Sequence, residues 1–165
     1  QMKIWWAAKK TYEWAIEMKY VRFIGDNGKN NDYGVTKVAS PYRKDRSSVL
    51  DAERLSEFTL AINKAIIMYG FEFGPESYKN ALQWCNNIKG EEKKKNLERA
   101  KNMKIVLDKE DPETNRMDML SLVSLFEAAA NARGVKLSNP TDYEFQNLTR
   151  HPLYSKGRII SWQVY

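Results

Sequence analysis

One cysteine and one histidine in 165 residues remove several chemistries at the outset. Cys85 cannot form a disulfide within its own chain, and such sparse cysteine use points to a reducing compartment. His151 cannot supply a multi-histidine zinc site, and any histidine-led triad would rest on that single side chain. No glycine-rich phosphate loop, Gly-x-Ser-x-Gly elbow or Cys-x-x-Cys pair is present, so the commonest hydrolase and transferase signatures are missing. No apolar run approaches the ~20 residues needed to span a bilayer, and no membrane partner is expected. The first residues have lysines but neither an uninterrupted apolar stretch nor a small-residue cleavage site, so a secretory signal is not expected. Gln1 ahead of Met2 leaves two origins open, an added residue before a native start or a cut from a longer protein.

What is present describes a globular chain. Hydrophobic residues make up 42% and charged residues 29%, enough apolar content to build a core without covalent staples. The length suits one compact domain over 1–165. Lys and Arg number 27 against 21 acids, a net charge of +6 that favours polyanionic partners.

Helical spacing dominates a first pass. Trp5, Ala8, Tyr12, Ile16, Tyr20 and Phe23 recur at three- and four-residue intervals and predict an opening amphipathic helix. Gly25 to Gly34 predicts a loop, and Val35–Ala39 a short strand. Ser48 and Asp51 resemble a helix start, after which Leu55, Phe58, Ile62, Ile66 and Tyr69 predict a central helix stopped by Gly70. Pro75 opens a further helix running toward Gly90, Glu91 to Leu107 a polar one, and Met119 to Ala130 a core helix ended by Gly134. Thr141-Asp142-Tyr143-Glu144 matches a capping box ahead of a short helix to Arg150. Ile160, Trp162 and Val164 alternate as a strand that could pair with Val35–Ala39. The expected fold is therefore mainly α: five to six helices with a minor two-stranded β element.

Three basic clusters suggest the chemistry. Tyr42-Arg43-Lys44-Asp45-Arg46 places guanidinium forks and a stacking ring on one loop, where they could clamp phosphate and hold a base. Lys93, Lys94, Arg99 and Lys101 would widen that positive surface, although Glu91, Glu92 and Glu98 intervene as they do on a solvated helix. In the opening segment Trp6 and Lys10 could stack and pair, while Trp6 and Trp14 could instead anchor a protein partner or self-assembly. The leading expectation is a non-enzymatic nucleic-acid-binding protein, DNA or RNA, read through backbone and base faces. Lysine- and asparagine-heavy usage suggests a viral or mobile-element accessory protein, a nucleoprotein or a coat subunit, located in the cytoplasm or associated with a virion.

Two alternatives stand beside it. One is a protein–protein module such as an inhibitor, adaptor or assembly subunit. The other is a Mg²⁺-dependent nuclease using Asp108, Glu110, Asp111 and Glu113, although acids in a polar connector are usually solvated. No catalytic residue, metal or cofactor is assigned, and Cys85 on an apolar stripe is expected to be an inert core thiol. On this reading Ile62→Ala costs ~2–5 kcal/mol as a core truncation. Arg43→Ala with Arg46→Ala should lower affinity for a fluorescent oligonucleotide in titration while Tm stays nearly constant; a large fall in Tm would make these side chains structural instead.

Overall fold

The computed structural model describes residues 11–23, 38–40, 42, 45–72, 75–109, 119–146 and 156–165. Their order is β1 (Tyr12–Arg22), α1 (Ser48–Glu57), β2 (Ala61–Glu72), α2 (Pro75–Asn86), α3 (Gly90–Lys109), α4 (Met119–Asn131), β3 (Thr141–Gln146) and β4 (Lys156–Gln163). The four strands form one mixed sheet in the order β1-β2-β4-β3. β1 runs parallel to β2, as expected when a helix-bearing crossover joins two strands. β4 lies antiparallel to both β2 and β3. The protein is an α/β fold, and the expectation of a mainly α bundle with a two-stranded β element is wrong.

Each misassigned segment has a physical cause. Trp14, Ile16, Met18 and Tyr20 alternate with Ala15, Glu17 and Lys19, a period of two that wins over the helical spacing of the same stretch. The central helix expected over 55–69 ends at Phe58, whose N–H bonds the Leu55 carbonyl at 3.1 Å. Beyond it, the β-branched Ile62, Ile66 and Ile67 extend as β2. Gly70 is therefore a strand residue, and a Cβ there would lie 2.7 Å from both Met119 Sδ and the Val21 carbonyl. Its lack of a side chain lets the start of α4 approach the sheet. Thr141–Gln146 alternates acid and aromatic as a strand, overriding its capping-box pattern. Val38 and Ala39 are helical, and β4 pairs with β2 and β3 rather than with that segment.

The remaining helices fall close to expectation. Ser47 caps α1, its hydroxyl accepting the Leu50 N–H at 3.3 Å. Gly134, at φ +76, closes α4 in the left-handed region, with Val135 N–H returning to the Ala130 carbonyl at 3.1 Å.

The core lies between one sheet face and helices α1 and α4. Val21, Ile66, Met68, Ile160 and Trp162 from the strands close against Val49, Ala52, Met119, Leu122 and Phe126 from the helices. Phe126 and Trp162 meet at 4.8 Å between ring centroids, and the Trp162 indole N–H donates to Glu127 Oε1 at 2.8 Å. Helices α2 and α3 pack against each other and contribute the buried Ala81 and Ala100 to the same core.

Ile62 is 74% exposed at the start of β2, which removes the basis for a large cost on truncation. Ile62→Ala should change stability by no more than about 0.5 kcal/mol. Ile66→Ala, four residues along the same strand, should cost ~2–5 kcal/mol in chemical denaturation.

Candidate binding face of the open sheet

The register of the four strands sorts their residues onto two faces with opposite chemistry. On the helix-covered face, Lys19, Met68, Ile160 and Asp142 lie in one row, and Val21, Gly70, Arg158 and Glu144 in the next. On the other face the corresponding rows are Met18, Ile67, Ser161 and Thr141, then Tyr20, Tyr69, Ile159 and Tyr143, then Arg22, Phe71, Gly157 and Phe145. Lys19 and Glu17 of β1 and Asp142 and Glu144 of β3 therefore face the helices, while Trp14, Ile16, Met18, Tyr20, Tyr143 and Phe145 face away; at the end of β1 the order reverses, with Val21 in the core and Arg22 on the other face.

Ion pairs hold this inverted arrangement in place. The Lys19 ammonium meets Asp51 of α1 and lies 3.2 Å from Glu17. Burial would lower the Lys19 pKa, but these two carboxylates outweigh it and raise the pKa. At the opposite edge, the Arg158 guanidinium binds Glu72 Oε1 at 3.2 Å, Asp142 Oδ2 at 2.5 Å, and Glu144. Glu72 is only 2% exposed. Its Oε1 also accepts the Met119 N–H at 3.0 Å, capping α4 where the helix dipole favours an anion. Its Oε2 faces Lys156 Nζ at 3.0 Å in a contact held by charge more than by hydrogen-bond alignment.

The other face is largely apolar and aromatic, and the described residues leave it exposed. Trp14 is 49% exposed, Met18 60% and Tyr143 65%, with Ile16, Tyr20, Tyr69 and Ile159 also exposed. Tyr20 stacks on Tyr69 at 5.3 Å between centroids and meets Phe71 edge-on at 6.1 Å; Phe71 in turn meets Phe145 edge-on at 6.0 Å. The Phe145 ring lies over Gly157, where a Cβ would come within 2.5 Å of it. Between Trp14, Ile16, Ile67 and Thr141 the face sinks into a groove of ≈ 420 Å³. Among the described residues in the strand rows of this face, Arg22 is the charged one.

The residues expected to bind nucleic acid lie elsewhere or outside the described residues. Trp6, Lys10, Arg43 and Lys44 fall outside, as do His151 and Glu110, Asp111 and Glu113. Tyr42 is exposed; its N–H bonds the Ser40 hydroxyl at 3.2 Å, and that hydroxyl donates to Asp45 Oδ2 at 2.5 Å. Arg46 is exposed at φ 46, a left-handed conformation that side chains rarely adopt. Lys93, Lys94, Arg99 and Lys101 all lie on α3, interleaved with acids. Lys94 pairs with Glu91 at 2.7 Å, and Arg99 bonds Asn96 at 3.4 Å. Cys85 is buried, and burial raises the pKa of its thiol, consistent with an inert core residue.

Of the exposed residues on this face, Trp14 is expected from the sequence as a partner anchor, whereas Met18, Tyr69, Ile159 and Tyr143 are not. The available signal was the strict alternation of 14–20 and 141–146. Among the described residues no group of three or more histidine, cysteine or carboxylate side chains could hold a metal ion. No described helix is long and apolar enough to cross a membrane. Comparison with protein-family models, curated proteins and solved structures finds no match, so nothing there supports a viral or mobile-element origin.

The Glu72 network makes stability depend on acid pH. Burial would raise the Glu72 pKa, yet Lys156, the Met119 N–H and Arg158 together lower it from the ordinary 4.5. The folded protein therefore resists a proton that the unfolded chain takes up. The contribution is intact at neutral pH, begins to fall below about pH 4.5, and is gone once pH passes the lowered native value. Glu72→Gln should cost about 3 kcal/mol at pH 7 and flatten the Tm profile between pH 5 and 3; an unchanged profile would remove Glu72 as the acid-sensitive group.

Proposed function

We propose that this protein is a non-catalytic interaction module whose working surface is the open face of its sheet. The observation supporting this is the direction of the side chains: Trp14, Ile16, Met18, Tyr20 and Tyr143 face away from the helices while their charged neighbours are tied down beneath. A sheet usually presents its polar alternation to water and its apolar alternation to the core. Here β3 and most of β1 reverse that order, and exposed apolar surfaces of this extent mark sites of association.

A partner protein suits the face better than a polyanion. Aliphatic Ile16, Met18, Ile67 and Ile159 share it with the rings, and a desolvating apolar surface stabilises a protein interface at its centre. Single-stranded nucleic acid could use the Tyr20–Tyr69–Phe71–Phe145 strip, because an open sheet can stack bases on its aromatics. Phosphate clamping would then need cations beside the strip, and the described basic cluster lies on α3. A reducing, intracellular setting belongs to this reading, supported by the single buried cysteine.

Two measurements test it. An apolar fluorescent dye, anilinonaphthalene sulfonate, should bind the dilute protein, and Met18→Lys with Tyr143→Lys should abolish most of that signal while lowering Tm by no more than a few degrees. Dye binding that survives the double substitution would place the working surface elsewhere. Titration with a single-stranded oligonucleotide at two salt concentrations should show weak binding at most. Tight, steeply salt-dependent binding lost in Tyr20→Ala and Tyr143→Ala would replace the protein-partner reading with the nucleic-acid one.

A further inference from the structure

We infer that the occupant of the open face is a second copy of the same chain, docked sheet against sheet about a two-fold axis. This rests on the interaction-module reading and names its partner.

Area is the first support. The exposed side chains of Trp14, Ile16, Met18, Tyr20 and Tyr143, with their neighbours Tyr69 and Ile159, present on the order of 700 Å², against roughly 800 Å² per partner in a standard stable interface. A short peptide laid across the face would leave much of that surface wet. A matching four-stranded sheet covers it in one step, at the ~10 Å separation of packed sheets.

Charge is the second support. The chain carries +6, yet the strand rows of this face hold Arg22 near one end and no acid. An acidic partner finds little here to pair with. A second copy brings the same nearly neutral surface, so no like charges are buried opposite each other at the centre. The lysine-bearing helix α3 packs on α2 and adds no cation to these strand rows.

Symmetry is the third. A two-fold axis makes each patch its own partner, so the interface must be self-complementary. Aromatic and aliphatic side chains in rows suit that requirement, and Thr141, Ser161 and Gln163 add polar groups within the groove of the same face, with Asn63 beside Trp14 in the register.

The test is light scattering coupled to size-exclusion chromatography on the full chain at ~100 µM, well above the micromolar Kd at the weak end for interfaces of this area. The expected mass is twice 19.3 kDa. Met18→Lys on β1 and Tyr143→Lys on β3 should each raise the dimer Kd by roughly tenfold or more with Tm of the monomer preserved. Ile62→Lys, at an exposed apolar position on the opposite face, should leave the mass unchanged. A monomeric wild-type protein overturns the inference. So does a dimer whose Kd, followed by dilution from ~100 µM, is unchanged by Tyr143→Lys, because pairing through the β1 edge would then explain it. The dye experiment separates the two levels: a monomer that binds dye on this face loses the second copy but keeps the interaction surface, and a monomer without dye binding loses both.

Discussion

The buried carboxylate of Glu72 is the constraint on which the rest of the architecture depends. Taking a carboxylate out of water costs several kcal/mol unless charges and donors surround it. Here Lys156 and Arg158 arrive from β4, and the Met119 N–H arrives from the first turn of α4. One side chain on β2 thus positions the neighbouring strand and the helix that covers it. Arg158 then extends the same network to Asp142 and Glu144, fixing β3 at the sheet edge.

That network has a consequence for the opposite face. Side chains alternate along a strand, so tying Asp142 and Glu144 to Arg158 obliges Tyr143 and Phe145 to point away from the helices. Lys19 with Asp51 does the same on β1, sending Met18 and Tyr20 outward. A slip of one residue in either edge strand would turn its aromatics toward the helices and its charges outward, breaking the pairs of Lys19 with Asp51 or of Arg158 with Asp142 and Glu144. Electrostatics beneath the sheet therefore selects the apolar surface above it. The proposed association follows from a register decision made within the monomer.

Gly70 and Gly157 show the same economy of space on the two faces. Gly70 lets Met119 and α4 approach the sheet, and Arg158 stands opposite it in the register. Gly157 leaves room for the Phe145 ring to pass over it and meet Phe71. A side chain at either position would collide with a neighbour, separating α4 from the strands in one case and breaking the aromatic strip in the other.

Much of the helical half was legible in the sequence because caps and stops are local. Ser48, Pro75, Gly90 and Gly134 mark boundaries within a few residues of where α1 to α4 begin or end, although the cap of α1 is Ser47. The sheet was not, for a definite reason. Residues 12–23 satisfy both a period of 3.6 and a period of 2, and Thr141–Gln146 satisfies both a capping box and a strand alternation. Local pattern leaves such segments undecided, since a strand gains its hydrogen bonds only from partners distant in sequence. Composition, charge, the single buried-stripe cysteine and the apolar content were determined by the residues themselves. Which side of each strand meets the helices was decided only in the folded chain, because the carboxylates and cations that choose it lie up to 86 positions apart.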